Sequence, residues 1–256
     1  MLESLYAGSI EDAAARELEF SLSEVERLAT EAAPAVDALQ ALAPRQSVHV
    51  LAEIKRASPS KGDLANIADP VLLAQTYESA GASMISVLTE QRRFKGSLAD
   101  LKAVKQAVNI PVLRKDFIAN EYQILEARAA GADVVLLIVA GLNPKKLRSL
   151  KTLVEQLGMT AFVETHSADE VRLAVDEGSS MIGVNARDLS TFETDRDLFG
   201  RLVELIPAGT VKVAESAVRN TEDVRHYRNS GADVVLVGEA LVTGDPSSLI
   251  KSFLEV

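Results

Sequence analysis

Glu53 and Lys55 stand two residues apart at the end of the run HVLAEIK (49–55). Side chains alternate along a strand, so both share one face while Ala52 and Ile54 take the other. A carboxylate beside an ammonium at a strand end can move protons or grip a substrate carboxylate, or it can be a structural ion pair. The same polar ending recurs. IPVLRKD (110–116) supplies Arg114, Lys115 and Asp116, and TAFVETH (160–166) supplies Glu164. MIGVNAR (181–187) supplies Asn185 and Arg187, and VKVAES (211–216) supplies Glu215 and Ser216. Alternation turns only one of Arg114 and Lys115 inward, and Lys115 is read as that residue. A lysine near another cation, or partly desolvated, is expected to have a lowered pKa and to act as a general acid. Glu164 is its expected partner for proton traffic, although alone it could simply hold a neighbour. Asn185 and Arg187 could grip a hydroxyl or a carboxylate, or Arg187 could pair with Asp188 or Asp195 at the surface. His49 and His166 read as structural.

The elements that must position these groups follow from the same runs. Adding SMISVLTE (83–90), DVVLLIV (133–139) and DVVLVGE (233–239) makes eight, and all but the fourth of them close on polar residues. Runs of Val, Ile and Leu without alternation are strands covered on both faces. Between them lie segments of helical period with recognisable starts: Asp69-Pro70, Ser97, Asn120, Asn143-Pro144, Ser167, Asn220 and Asp245-Pro246. Several end at glycine (Gly81, Gly131, Gly158, Gly178, Gly231), as left-handed caps require. AGASMISVLTE, AGADVVLLIVA, EGSSMIGVNAR and SGADVVLVGEA begin at 80, 130, 177 and 230, an internal repeat with about the length of a βαβα unit. Four such units give eight strands and eight helices, hence an α/β fold of the (β/α)8 TIM barrel type with its site at the strand C-termini. Residues 1–47 fall outside the repeat and read as one or two helices, roughly 9–18 and 22–42, with Ser21 and Ser23 as breaks or caps. No linker divides the chain, so 1–256 reads as one barrel domain, with 1–47 a helical extension packed on it.

Composition bounds the chemistry. The 256 residues are 47% hydrophobic and 25% charged, ordinary for a chain that buries a large core. No cysteine is present, so disulfides and thiolate metal sites are excluded, and the three histidines lack metal-ligand spacing. A formal charge of −10 argues against nucleic acid as partner but leaves room for a small anion met by a few focused cations. No run is long enough to span a bilayer and no signal peptide opens the chain, so a cytoplasmic protein is expected. Small residues after the last two runs (AESAV, VGEALV) suit backbone N–H groups converging on a phosphate. The segment RASPSKGDLANIAD (56–69) is long for a βα connection and reads as a lid or a mobile loop.

In this order, EIKRASPSKG, VLTEQRRFKGS, PVLRKDFI, LLIV, VETH, GVNARDL, AES and VGEALV closely resemble the indole-3-glycerol phosphate synthases of tryptophan biosynthesis, from about residue 48 to 245. The combination of SPSKG with RKDF and NARDL is specific; no single piece is. The resemblance implies ring closure, decarboxylation and dehydration of 1-(2-carboxyphenylamino)-1-deoxyribulose 5-phosphate, without cofactor or metal. It implies Lys115 as general acid at the ketone, Lys55 against the anthranilate carboxylate, Glu164 in the dehydration, and Glu53 placing the lysines. Asn185, Glu215, Ser216 and Arg187 resemble the surroundings of the sugar hydroxyls. Phe94, Phe117, Leu136 and Leu189 resemble the slot for the aromatic ring, and Ser58, Ala217, Gly238 and Glu239 the phosphate end. A monomer is expected, with association with other enzymes of the pathway open. The family usually has glycine where this chain has Ala217; if that position needs positive φ, alanine strains the turn by about 1 kcal/mol. Two rival readings remain: an isomerase of the phosphoribosyl-anthranilate type, disfavoured because the chain lacks the cysteine of a Cys/Asp pair, and a silent barrel that binds phosphorylated metabolites.

Overall fold

In the computed structural model, which describes residues 1–188 and 191–256, all eight runs become strands of one closed parallel barrel. They are β1 (His49–Ile54), β2 (Met84–Leu88), β3 (Val112–Lys115) and β4 (Val134–Ile138). The others are β5 (Thr160–Thr165), β6 (Met181–Asn185), β7 (Val211–Glu215) and β8 (Val234–Val237). Each strand is shorter than its run, so Lys55, Ser216 and Arg187 lie just past strand ends, on the rim. The first strand closes the ring by pairing with both β2 and β8, Leu51 opposite Met84 and Leu236.

Alternation divides the core in two. Val50, Ala52 and Ile54 face the helices, with Val135, Leu137, Ile182 and Val235 in the same layer. Leu51, Met84, Leu113, Val134, Phe162, Met181, Val213 and Val234 fill the bore. One step further along the inward face come Glu53, Lys115, Glu164 and Glu215, so the polar strand ends sit on top of an apolar plug.

The helix starts are set by their caps. Asp69 accepts from Val71 N and Leu72 N ahead of Pro70, and Ser97, Asn120, Asn143, Ser167 and Asn220 each accept from the first turn that follows. At Asp245 the helix Pro246–Leu254 starts where expected, and the Asp245 carboxylate accepts from Ser248 Oγ in its first turn.

The N-terminal extension differs from its expected outline. Its first helix is longer, Leu2–Glu19, because Leu5 and Tyr6 pack into the apolar layer near the rim. The second helix ends at Glu31 instead of running to 42, and only the turn Ala38–Ala41 follows. Pro34 removes a backbone donor and disfavours helix at the residue before it. The extended stretch runs beneath the barrel, where Val36 N donates to Asp133 Oδ1 at 2.7 Å and Leu42 joins the bore. Ser21 caps the second helix as read, in a box with Glu24. Arg16 binds Glu126 (2.5 Å), and Val25 and Ala29 pack on Tyr122 and Leu125, which fastens the extension to the helix Glu121–Ala129.

Candidate active site

The strand C-termini open into a cavity of about 710 Å³. Its floor is a charge cluster that only a barrel could assemble. Lys115 Nζ, from β3, lies 2.7 Å from Glu215 Oε2 of β7, and 3.7 Å from both Glu53 Oε2 of β1 and Glu164 Oε2 of β5. Lys55 Nζ stands 2.8 Å from Glu53 Oε1. Asn185 donates from Nδ2 to Glu164 Oε1 (3.1 Å) while its Oδ1 accepts from Ser216 Oγ (2.8 Å) and Arg187 N (3.0 Å). Two glycines make room for these groups. A Cβ on Gly183 would overlap Glu215 Oε1 and come within 2.7 Å of the Phe162 ring, and one on Gly238 would sit 2.5 Å from Glu53 Oε1.

The expectation of a lowered lysine pKa is corrected here. Burial alone would lower it, but Glu215, Glu53 and Glu164 together outweigh that and raise the Lys115 pKa, so the group is firmly an ammonium. Arg114, the expected neighbouring cation, is turned away. It is wholly buried on the outward face, donating to Thr89 Oγ1, the Gln123 carbonyl and Asp116. The two nearest carboxyls are driven apart. Burial works against the Glu164 charge, yet Lys115, His166 and Asn185 hold its pKa down at about 2. Glu215 is raised to about 8 by burial and by the Glu164 charge, against the pull of Lys115. Glu53 is lowered despite its burial, by Lys55 and then Lys115.

Beside the cluster one wall is apolar. Phe94 and Phe117 have ring centroids 6.0 Å apart, Tyr6 meets Phe117 edge-on at 5.7 Å, and Leu136 completes that side. Glu90 shapes the approach: its buried carboxylate accepts from the backbone N–H groups of Arg92, Arg93 and Phe94, and so fixes the loop that carries Phe94.

Across the cavity lie Ser58, Ala217, Gly238 and Glu239. Ser216 and Ala217 have φ of 70° and 57°, so alanine does occupy a left-handed position, and Tyr227 Oη pins the turn by donating to the Ser216 carbonyl at 3.2 Å. Glu239 opens the short helix Glu239–Thr243 and bonds through its carboxylate to Lys61. Ser58 belongs to a two-stranded ribbon, Ala57–Ser58 against Gly62–Asp63, within the long connection after β1.

Every residue that the resemblance assigns to the site lines this one cavity, save Leu189, which lies outside the described residues. Sequence reasoning missed several others. Leu5 reaches the cavity from the extension, and Phe192, Arg196 and Arg219 reach it from the loops after β6 and β7. No periodicity announces loop residues. His166, read as structural, stands two residues after Glu164 on the same face, with its Nε2 3.3 Å from Glu164 Oε1.

A family model for indole-3-glycerol phosphate synthase matches residues 2–253. The chain belongs to the indole-3-glycerol phosphate synthase family. Proteins of that name from Leifsonia xyli subsp. xyli and Mycolicibacterium gilvum are 60% and 56% identical to it, over 99% of this chain and 97% and 93% of theirs. One from an Arthrobacter species is 56% identical over 99% of this chain and 95% of its own. The match therefore includes the extension as well as the barrel. Among solved structures, 3-hexulose-6-phosphate synthase from Salmonella typhimurium superposes with a TM-score of 0.64 at 17% identity, covering 81% of this chain and 97% of its own. That likeness is one of fold alone. The family makes the protein a carboxy-lyase of tryptophan biosynthesis, and the isomerase and silent-barrel readings find no support. No helix among the described residues is long and apolar enough to cross a membrane.

Proposed function

We propose that this cavity carries out the family's reaction with its roles divided among the residues as follows. The substrate, 1-(2-carboxyphenylamino)-1-deoxyribulose 5-phosphate, lays its aromatic ring against Phe94, Phe117 and Leu136 and its phosphate toward Ser58, Ala217 and Gly238. A molecule that is apolar at one end and anionic at the other suits a cavity divided in that way. Lys55, half-buried on the rim, pairs with the anthranilate carboxylate that later leaves as carbon dioxide. Lys115 serves the ketone: as the ring carbon attacks, charge develops on the oxygen, and the ammonium stabilises it and gives up a proton. Its raised pKa is no obstacle, because the alkoxide formed is a stronger base than any lysine. Glu164, held as a carboxylate, takes the proton released in the dehydration. Glu53 places both lysines, while Asn185, Ser216 and Arg187 hold the sugar hydroxyls. The phosphate is met by backbone N–H groups at the 216–217 turn and the Gly238–Glu239 helix start. The Glu239 side chain is occupied with Lys61 and contributes only its backbone. We further propose that the chain acts as one barrel domain, a monomer in the cytoplasm.

The observation that carries the reading is the buried Lys115 ammonium among three carboxyl groups from three other strands, directly beside an aromatic slot. Indole fluorescence after adding the substrate tests it. Wild type should generate the signal and Lys115→Ala should bind substrate without generating it. A Lys115→Ala protein that turns over at near-normal rate would remove that residue from the role of acid.

A further inference from the structure

Lys115 alone cannot explain how charge is shared between Glu164 and Glu215. Its ammonium is 2.7 Å from Glu215 and 3.7 Å from Glu164, so by distance Glu215 should be the more readily ionised of the two. A second cation reverses the order. His166 follows Glu164 by two residues on β5 and its continuation, is largely buried, and points Nε2 at Glu164 Oε1 from 3.3 Å, out of line for a hydrogen bond. Its Nδ1 lies 3.4 Å from Glu170 Oε2, on the helix Ala168–Asp176, and the same oxygen accepts from the His166 backbone N–H at 2.8 Å. An imidazole between two carboxylates is held as a cation. On the other side of the pair, Glu215 Oε1 is buried and meets no donor among the described residues.

We propose that His166 is a positioning residue for Glu164: as a cation between Glu164 and Glu170 it fixes negative charge on Glu164 and leaves the proton on Glu215. This rests on the proposed role of Glu164 and says how that role is secured. Two carboxyls in one low-dielectric site take opposite parts when their surroundings differ, one as base and the other as proton carrier. The lowering of Glu164 and the raising of Glu215 and His166, the last to about 10, agree with this order. The charged groups facing Glu164 are Lys115 from β3, Glu215 from β7, Glu53 from β1 and His166 itself, with the amide of Asn185 from β6. Those facing His166 are Glu164 and Glu170.

Two measurements test the proposal. The chain has three histidines, so nitrogen spectra of labelled histidine in wild type can be assigned by substitution. His166 should be protonated on both nitrogens at pH 7; a neutral ring there overturns the proposal without any variant of the site having to fold. The second is the pH dependence of kcat/KM for His166→Gln, which keeps a polar side chain and removes the charge. Loss of the cation raises the pKa of Glu164, so the acid limb should move up by about one pH unit or more, with KM little changed. A folded His166→Gln protein with an unmoved acid limb overturns the proposal. Glu164→Gln separates the two levels. If it is active, the assignment of Glu164 fails; if it is inactive while His166→Gln keeps its profile, only the role of His166 fails.

Discussion

Replacing Lys115 by Met should do more than stop the reaction: it should make stability depend on pH more steeply than in the wild type. At neutral pH the cluster balances, with Lys115 and Lys55 positive, Glu53 and Glu164 negative, and Glu215, raised to about 8, carrying a proton. Each 3.7 Å contact from Lys115 to Glu53 and Glu164 amounts to about 4 kcal/mol at an effective dielectric constant of about 20. Dehydration of the ammonium offsets much of that, and breaking a buried pair by removing one partner typically costs about 3–5 kcal/mol. Methionine fills the volume, so the loss is electrostatic. The cheapest relief is for Glu53 or Glu164 to take up a proton, which places its folded pKa above the unfolded value of about 4.3. The folded variant then binds one more proton than its unfolded chain, and its stability falls as pH rises through that interval, by about 1.4 kcal/mol per unit. Glu215 already gives wild type a slope of this sign, so the diagnostic quantity is the difference between the two proteins. Urea unfolding at pH 6, 7 and 8 should show a deficit that shrinks toward pH 6, with indole formation down about 10²–10⁴-fold throughout. A deficit equal at pH 6 and pH 8 would refute the argument, since it would mean that no carboxylate depends on Lys115 for its charge.

Two exchanges between alanine and glycine give independent tests. Ala217→Gly relieves a left-handed alanine that costs about 1 kcal/mol, while glycine's greater freedom in the unfolded chain takes part of this back. The melting temperature should rise by about 1–3 °C, and calorimetric titration should show inorganic phosphate bound at least as tightly; a lower melting temperature or weaker binding counts against the strained turn. Gly183→Ala should be destabilised by about 1–3 kcal/mol, with kcat reduced, because its Cβ occupies the space of Glu215 Oε1 and crowds Phe162. Unchanged thermal unfolding and turnover would show that the bore has slack at this level.

What the sequence made legible was whatever repeats or alternates. Eight apolar runs and the caps between them led to the barrel, and alternation allowed only one of Arg114 and Lys115 to face inward; the structure makes it Lys115, which shares the inward face with Leu113 while Arg114 turns to the helix that carries Glu126. The direction of the Lys115 pKa was not legible. The nearest cation in sequence is its immediate neighbour, whereas the three carboxylates that set its environment come from positions 53, 164 and 215. Only closure of the ring brings them together. The second helix of the extension failed for a local reason that was visible, Pro34, which outranks the alanine-rich stretch around it. Leu5, Phe192, Arg196 and Arg219 follow from no pattern of period two or 3.6, since they arrive on the extension and the loops.

The one run that breaks the polar rule is the most informative about the shape of the site. β4 ends in Leu136 and Ile138 where its neighbours β3 and β5 end in Lys115 and Glu164, and all four residues border the same cavity. Register places Ile138 opposite Glu164, so an apolar wall stands one strand away from an ionised carboxylate. A ring of eight polar ends would make a wet basin in which the Lys115 ammonium and its partners are screened. With β4 apolar, and Tyr6, Phe94 and Phe117 packed over it, the aromatic end of a substrate displaces water from that side. The charges facing it then act through a low dielectric. The charged strand ends supply the groups, and the apolar strand sets how strongly they act. A polar substitution at Leu136 is therefore a sharper test of the electrostatics than of packing: Leu136→Asn should depress kcat more than it raises KM. The opposite split would assign β4 to binding alone.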